Sequence, residues 1–332
     1  MQTHLNRLST AGLIILAFLA FGNSYAQSPS ANLRGYPSKP VRIIHVTPAG
    51  GILDVAARQL ADKLTPALGQ PVLVDPRPGA GGLIAMEATA KSAPDGHTVV
   101  LCSFVQLTVN PSLYERLPYD PVKDFAPVIV LFSGPSVLLA HPSFPADSVP
   151  ELIRLAKAQP GKIMYGSSGN GLPPHIFTEQ FKSIAGIDLV HVPYKGPMAS
   201  VAALLAGEVS VIVEASDTVI PHIKSGRLKA LAVNGETRIA SLPNVQTFNE
   251  VGVPGIGVSW VGIVAPAGTS RAIVDRLNRE FSRALDSSDI KAYYDNAGRT
   301  IVANSPEAFA ALIRDEIPKW RQVIRKAGIK TE

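Results

Sequence analysis

The sequence predicts an α/β protein made of two similar lobes that face each other across a cleft. Short apolar runs alternate with amphipathic helical segments, which is the pattern of a parallel sheet covered by helices. The alternation occurs twice, and an extended apolar segment, LFSGPSVLLAHP, separates the two series. We therefore expect the chain to cross there from a first lobe to a second. A cleft between two such lobes suits a small-molecule ligand.

The first 26 residues are expected to be a cleavable secretory signal peptide. An apolar core of about 11 residues, AGLIILAFLAF, follows a short polar start, and the small residues Ser24 and Ala26 precede the expected cleavage point after Ala26. A membrane-spanning helix needs roughly 20 apolar residues, so an uncleaved anchor is the weaker interpretation. The mature protein is predicted to be exported and soluble.

Composition indicates a well-packed globular protein of about two domains, because 46 % of the residues are hydrophobic and 17 % are charged. The net charge of +5 could suit an anionic partner, but lysine and arginine are scattered along the chain without a nucleic-acid-binding module. Nucleic-acid binding is therefore not predicted. The single cysteine, Cys102, excludes an intramolecular disulfide and a cysteine-based zinc site, and we expect it to pack in a strand.

The first lobe, placed at residues 36–133, opens with a β-α-β-α-β series. Its strands are predicted at residues 41–46, 71–74 and 97–103, and its helices at residues 54–64 and 83–93. Continuous apolar runs such as VRIIHV and TVVLCS are typical of strands that are buried on both faces. These segments predict a parallel sheet in the first lobe.

The second lobe, placed at residues 134–230, repeats this organisation. Its strands are predicted at residues 162–166, 188–194, 209–214 and 228–233, and its helices at residues 174–186 and 198–208. Residues 231–332 are expected to return to the first lobe with a strand at residues 259–268 and two amphipathic helices at residues 270–287 and 306–328. Pro318 is predicted to kink the last helix or divide it in two.

The loop TPAGGILD, residues 47–54, places glycines between the first strand and the first helix. Unpaired N–H groups and the positive end of the helix dipole attract anions at such a point. The loop lacks the Gly-x-Gly-x-x-Gly and Gly-Lys-Ser/Thr patterns, so no nucleotide cofactor is predicted, and no other cofactor is expected. Asp54 either caps the first turn of the helix or contacts a ligand. A second glycine-rich turn, RPGAGGLI, is better explained as a tight structural turn.

The second lobe offers the most polar of these loops, YGSSGNGLPPHIF, residues 165–177. Ser167, Ser168 and Asn170 can donate hydrogen bonds, and the neighbouring glycines let a ligand approach the backbone. The alternative is that the loop only caps its own helix. His175 could meet a carboxylate or act as a structural hydrogen-bonding residue. The other histidines lack the spacing of a metal site.

Two further strand ends carry charged residues. Lys195 in VPYKGP could neutralise an anion, although an exposed position is more typical of lysine. Glu214 and Asp217 in EASDT could receive an amino group or cap the following helix. An amino acid therefore stays among the possible ligands.

The ordered set of motifs resembles a known family from about Tyr36 to the C-terminus. The segments that carry the resemblance include YPSKPVRIIHVTPAGGILDVAARQLADKL, DPRPGAGGLIAMEATAKSAPDGHTVVLCS, YGSSGNGLPPHIFTEQFK and HVPYKGPMASVAALLAGEVSVIVE. They are similar to the Bug-type receptors, the extracytoplasmic solute-binding proteins of tripartite tricarboxylate transporters. The resemblance implies a periplasmic binding protein of the type II fold, with a hinge and an interlobe cleft.

The resemblance also implies which residues hold the carboxylate of the solute. In the first lobe it points to the loop after the first strand. In the second lobe it points to the serine-glycine loop and to the end of a later strand. The implied ligand-binding residues are Ala49, Gly50, Gly51, Asp54, Ser167, Ser168, Gly169, Asn170, His175 and Glu214.

The sequence departs from the family pattern at positions that bear on selectivity. Ile52 and Leu53 stand where serine or threonine is common, Leu172 stands where serine is common, and Glu214 replaces a common aspartate. Losing hydroxyls favours a less polar solute, such as an aromatic or branched carboxylate. Because a hydrogen bond contributes about 1 kcal/mol net, a few such changes alter selectivity by one or two powers of ten.

We therefore predict a monomeric periplasmic receptor that captures a small organic carboxylate for the membrane subunits of a tripartite transporter and is not an enzyme. The solute classes left open are di- or tricarboxylates, amino acids and aromatic acids. A ligand sensor for a membrane kinase is the main alternative. An exported hydrolase that uses Ser167 or Ser168 with His175 is less favoured, because no aspartate is placed to orient the imidazole.

Overall fold

Two β-sheets organise residues 35–329, the part of the chain that the computed structural model describes. The predicted signal peptide lies outside these residues. Within residues 35–329, no helix combines the length and the apolar character needed to cross a membrane.

The strands and helices follow one another in the alternation that the sequence predicts. The strands are β1 (Val41–His45), β2 (Val72–Pro76), β3 (Thr98–Ser103), β4 (Phe125–Gly134), β5 (Ser136–Ala140), β6 (Met164–Ser167), β7 (Val190–Pro193), β8 (Val211–Ala215), β9 (Lys229–Val233), β10 (Ser259–Pro266) and β11 (Thr300–Ile301). The helices are α1 (Ile52–Leu68), α2 (Leu83–Ala90), α3 (Asn110–Leu113), α4 (Val149–Ala158), α5 (Pro173–Ala185), α6 (Pro197–Leu205), α7 (Ser216–Lys224), α8 (Arg271–Leu285), α9 (Ser288–Asn296) and α10 (Pro306–Ala327).

The first sheet has the strand order β11-β4-β10-β3-β1-β2. Strand β1 is parallel to β2 and to β3, whereas β10 runs antiparallel to β3 and β4. The carboxyl ends of β1, β2 and β3 therefore lie at the same edge of the sheet. The loops that follow these strands meet there, as in other open α/β sheets.

The second sheet has the strand order β7-β6-β8-β5-β9. Strand β6 is parallel to β7 and β8, and β5 runs antiparallel between β8 and β9. The chain crosses between the sheets at Pro135, which separates β4 from β5, and returns through residues 234–258 to β10. Helices α8 and α10 then pack against β4 of the first sheet.

Helix α1 illustrates why these segments form helices. It buries one face that includes Leu53, Leu60 and Leu64, and it ends at Gly69, whose left-handed φ of 68° suits the residue after a helix. Helix α10 continues through Pro318, so the predicted division of this helix into two is wrong. Proline removes one hydrogen bond of the helix, but the buried side chains on both sides of it hold the helix against its neighbours.

An aromatic cluster connects the lobes. The ring of Phe104, directly after β3, stacks on Phe177 of α5 with 5.6 Å between centroids. Trp320 of α10 lies 5.9 Å from Phe177 and 5.3 Å from Phe104. The main hydrophobic core accordingly includes residues of both sheets. Cys102 lies within it, fully buried, as the sequence predicts.

Candidate solute-binding site

The predicted site residues lie in loops at the carboxyl ends of parallel strands, one set in each lobe. The second-lobe loop after β6 faces the first lobe, because a Cβ added at Gly171 would lie 3.1 Å from Cδ1 of Leu113. The end of β8 also contacts the first lobe: Ser216 Oγ donates to the Ala297 carbonyl at 3.3 Å. These two contacts place the loop after β6 and the end of β8 at the boundary between the lobes.

Asp54 is buried at the start of α1 and accepts four hydrogen bonds. Its Oδ2 accepts from the Gly50 amide at 2.9 Å and from Arg58 Nε at 2.9 Å. Its Oδ1 accepts from Arg58 Nη2 at 3.0 Å and from His45 Nε2 at 3.1 Å. The Arg58 guanidinium, followed by the Gly50 amide, lowers the pKa of the Asp54 carboxyl to about 2. With both oxygens occupied, Asp54 shapes the loop after β1.

That loop presents its backbone outward. Ala49 and Gly50 are exposed, and Gly50 has a φ of 80°, a conformation that glycine adopts without strain. Gly51 is the residue before α1 and leads to the first turn of the helix, whose N–H groups lack intrahelical acceptors. Ile52 opens this turn and is partly buried. The loop therefore offers backbone donors to an anion.

The two apolar residues that depart from the family pattern in this loop have different surroundings. Leu53 is only 3 % exposed and belongs to the hydrophobic core, whereas Ile52 packs at the margin of the core. Of the two side chains, only Ile52 is partly exposed at this loop.

The glycine-rich turn after β2 is held tightly against the end of β3. Gln106 Nε2 donates to the Gly81 carbonyl at 3.0 Å, and Gln106 Oε1 accepts from the Ser103 amide at 3.0 Å. A Cβ at Gly82 would lie 2.9 Å from Gln106 Cγ and 3.1 Å from Val46 Cβ. These contacts favour the structural interpretation of this turn.

A pair of stacked imidazoles supports the loop after β6. The Gly171 amide donates to His175 Nδ1 at 3.0 Å, so this nitrogen carries no proton and the ring is neutral. The rings of His175 and His191 stack with centroids 3.9 Å apart, and His191 Nε2 lies 2.6 Å from Ser167 Oγ. Burial lowers the pKa of His175 to about 3 and that of His191 to about 4. His175 therefore fixes the loop as a neutral ring.

Sequence reasoning missed His191. Its distance along the chain from Ser167 gives no motif, and the contact arises because β6 and β7 are parallel neighbours in which Tyr165 pairs with His191. The strand prediction for both segments was the available signal, and it did not specify the register.

The remaining residues of the serine-glycine loop differ in exposure. Ser168 is buried and its carbonyl accepts from the Gly196 amide at 3.1 Å, which ties this loop to the loop after β7. Gly169 is half-buried with a φ of 141°, and Asn170 is exposed. Leu172, at the start of α5, is also exposed. The loop thus combines a buried hydroxyl with an exposed amide and an exposed apolar side chain.

Glu214 lies near the end of β8 and is only 4 % exposed. Its Oε1 accepts from the Ala215 amide at 3.0 Å, and its Oε2 has no hydrogen-bond partner within residues 35–329. Burial raises the pKa of the Glu214 carboxyl to about 7, against the opposing effects of the Ala215 amide and the Ser168 hydroxyl. A carboxyl group with a pKa of about 7 gains or loses its proton near neutral pH.

Elsewhere in the described residues, the structure has a groove but no cluster of metal-binding side chains. Residues 35–329 contain no group of three or more histidine, cysteine, aspartate or glutamate side chains that could hold a metal ion. A groove of about 690 Å³ lies between residues 111–124 and helix α10, and none of the predicted ligand-binding residues lines it. The boundary between the lobes therefore stays the candidate site.

Comparison with known proteins identifies the family. The model of the tripartite tricarboxylate transporter family receptor matches residues 56–329. The chain belongs to this family. The receptor is 39 % identical to the protein BugT of Bordetella pertussis over 297 residues, which cover 89 % of this chain and 91 % of BugT.

Solved structures agree with this assignment. An R. palustris protein solved with adipate has a TM-score of 0.78 and 32 % identity, over 89 % of the receptor and 100 % of that protein. MatC from Rhodopseudomonas palustris, solved with bound malate, has a TM-score of 0.76 and 30 % identity, over 87 % of the receptor and 100 % of MatC. The periplasmic binding protein BugD has a TM-score of 0.76 and 31 % identity, over 89 % of the receptor and 100 % of BugD. The resemblance seen in the sequence is confirmed, and so is the two-lobed periplasmic binding protein fold.

Proposed function

We propose that this receptor captures a small organic carboxylate between its lobes in the periplasm and delivers it to the membrane subunits of a tripartite transporter. The observation that carries the proposal is that each lobe has a glycine-rich loop at the carboxyl end of a parallel strand, and that the loop of the first lobe leads into the first turn of α1. The two R. palustris relatives with adipate and malate support a carboxylate as the solute.

Capture proceeds by hinge closure, as expected for two lobes joined by crossing segments. Those segments are Pro135 and residues 234–258. The receptor acts as a monomer, binds no nucleic acid and is exported with cleavage near Ala26.

The Gly50 and Gly51 amides already donate within the loop, to Asp54 Oδ2 at 2.9 Å and to the Pro48 carbonyl at 3.3 Å. In this proposal the carboxylate therefore meets the backbone N–H groups of Ala49 and Ile52 in the first lobe.

No bond is made or broken in this proposal. Ser167 is fully buried, and its imidazole partner is His191. A histidine with a pKa of about 4 is mostly unprotonated at neutral pH but is a weak general base. His191 stacks between His175 and Tyr165, and no carboxylate hydrogen bond to its ring is found among residues 35–329. The geometry therefore favours a binding protein over a serine hydrolase.

A thermal-shift panel tests the proposal on the mature receptor. The panel contains aliphatic mono- and dicarboxylates, aromatic carboxylates and amino acids, with neutral sugars and polyamines as comparison ligands. A ligand at about 100 times its Kd stabilises the folded state by about 2.7 kcal/mol, which raises the Tm by several degrees. Stabilisation by sugars or polyamines alone, with none from any acid, would contradict the carboxylate function.

A proline variant tests the role of the α1 backbone. Ile52→Pro removes the amide at the first helical position, where proline is tolerated because its N–H has no intrahelical acceptor. Helices α5, α6 and α10 already carry proline in their first turns. Losing one charge-assisted hydrogen bond is expected to weaken carboxylate binding about tenfold. Arg271→Pro at the corresponding position of α8 is the matched control and is expected to keep the affinity. Equal affinity of Ile52→Pro and the unaltered receptor would remove this amide from the site.

A further inference from the structure

Glu214 is a buried acid of the candidate site, and one of its carboxylate oxygens lacks a hydrogen-bond donor among the described residues. Its Oε2 is enclosed but accepts no hydrogen bond from any residue of the described chain, 35–329. An enclosed acceptor without a donor costs free energy, and native proteins rarely retain one without a reason. A bound ligand could supply the missing donor.

The surroundings of Glu214 supply no counter-charge. The charge that acts on it is a second carboxylate, Asp217 at the start of α7, which further raises the pKa of Glu214. Arg299, from the turn before β11, donates to Asp217 through Nη2 at 2.8 Å, and its buried Nε has no hydrogen-bond partner within residues 35–329. Asp217 thus has hydrogen-bond partners for both oxygens, whereas Glu214 has one oxygen without a partner in the described part of the chain.

The position of Glu214 places it at the lobe boundary. It lies at the carboxyl end of β8, next to the parallel strand β6 and the loop that carries Ser168. The next residues, Ser216 and Asp217, bond to Ala297 and Arg299 of the first lobe. Glu214 therefore lies within three residues of contacts that cross the boundary between the lobes.

We propose that Glu214 accepts a hydrogen bond from a nitrogen N–H of the bound solute. This inference rests on the proposed carboxylate function and sharpens it. The solute is then an organic acid that carries an amino or amide nitrogen at the end opposite its carboxylate. A second carboxylate at that end would meet two acids, Glu214 and Asp217, and like charges at short distance repel.

Two matched ligand series test the inference by calorimetry on the mature receptor. The aliphatic series is pentanoate, its ω-amino and ω-carboxamide derivatives, and glutarate. The aromatic series is benzoate, its para-amino and para-carboxamide derivatives, and terephthalate. At about pH 8, where an acid with a pKa of about 7 is mostly ionised, the nitrogen-bearing acid of at least one series is expected to bind about tenfold more tightly than its parent acid and its diacid.

Variants assign this preference to Glu214. Glu214→Leu removes both oxygens and is expected to abolish the preference, so that the nitrogen-bearing acid, the parent acid and the diacid bind with similar affinities. Glu214→Gln is expected to reduce the preference most for an ammonium group, whose charge it no longer balances. Glu316→Gln is the matched control: Glu316 is a buried carboxyl of the first lobe that already accepts from Trp260 Nε1 at 3.0 Å and Trp320 Nε1 at 3.3 Å. It is expected to leave the ligand ranking unchanged.

The buffer dependence of the binding enthalpy separates the two kinds of nitrogen. Near pH 7 part of the receptor population has Glu214 protonated. An ammonium group stabilises the ionised carboxylate, so its binding is expected to release the Glu214 proton to the buffer, whereas a neutral amide is expected to release much less. Acids that bind without a nitrogen preference, or a preference that survives in Glu214→Leu, would overturn this inference and leave the carboxylate function standing. Absence of binding by every acid of both series would overturn the inference together with the carboxylate function.

Discussion

Asp54, in the first turn of α1, and Glu214, near the end of β8, are buried acids, one in each lobe. They differ in their hydrogen-bond partners and in their pKa values. Asp54 accepts four hydrogen bonds, and its pKa is lowered to about 2. Glu214 accepts from Ala215 through one oxygen, and its pKa is raised to about 7. Both oxygens of Asp54 accept hydrogen bonds from the protein, so this acid stabilises the loop after β1. Oε2 of Glu214 has no donor within residues 35–329, so this acid can accept a hydrogen bond from a ligand.

We propose that this difference orients the solute. In the first lobe Asp54 bonds internally and the helix α1 starts with N–H groups that lack intrahelical acceptors, which suits an anion. In the second lobe Glu214 Oε2 is an acceptor without a donor among residues 35–329, which suits an N–H group. The solute is expected to lie with its carboxylate toward α1 and its nitrogen toward β8.

The largest expected effect comes from removing the satisfied acid. Asp54→Ala leaves His45 and the Gly50 amide without their acceptor and deprives Arg58 of its partner, and breaking such a buried arrangement costs about 4 kcal/mol of unfolding free energy. Denaturant unfolding measures this loss. Arg58→Ala is the matched variant, and because Arg58 is mostly exposed it should cost less than about 1 kcal/mol. Equal losses in the two variants would mean that the exposed ion pair, and not the buried cap, stabilises the loop.

The second effect concerns the unsatisfied acid and depends on pH. The folded pKa of Glu214 is raised from 4.5 to about 7, so the unfolded chain loses this proton first, and stability falls as pH rises through this range. The full shift corresponds to about 3 kcal/mol. Glu214→Gln does not titrate, and it is expected to gain this amount relative to the unaltered receptor between about pH 4.5 and pH 8. Parallel stability profiles for the two proteins would show that Glu214 is not held protonated.

A smaller effect separates the two apolar residues of the first loop. Leu53→Thr places a hydroxyl in the core and is expected to cost about 2 kcal/mol without changing the ranking of ligands. Denaturant unfolding and the calorimetric panel measure the two quantities. A change of ligand ranking in Leu53→Thr would place this side chain at the solute after all.

The smallest expected effect on stability belongs to Ile52→Ser. This residue lies at the margin of the core, so its replacement is expected to cost less than about 1 kcal/mol. Calorimetry of the same acids is expected to show a shift in preference toward the more polar ones. An unchanged preference would leave the first loop with a purely backbone role.

The fold could be predicted because it depends on local patterns. Apolar runs such as VRIIHV and the helical spacing of α1 specify strands and helices within a short stretch of chain. The continuous helix through Pro318 could not be predicted in the same way, because packing on both sides of the proline holds it. Helix α4 and helix α9 were also not assigned from the sequence.

The loops of the candidate site could be predicted from the sequence, but the hydrogen bonds between their side chains could not. The spacing of Asp54 and Arg58 fits a pair on one helix face, but the bond to His45 comes from the strand before it. The contact of Ser167 with His191 requires the register of β6 and β7. The bond of Ser216 to the Ala297 carbonyl requires the packing of the second lobe against the first, which no local pattern contains.

A crystal structure of the mature receptor with the solute that co-purifies with it tests most directly whether the boundary between the lobes holds one acid in a fixed direction. We expect a carboxylate within about 3 Å of the Ile52 amide and a nitrogen within about 3 Å of Oε2 of Glu214. A solute bound with its carboxylate beside Glu214, or bound away from the loops after β1 and β6, would contradict it.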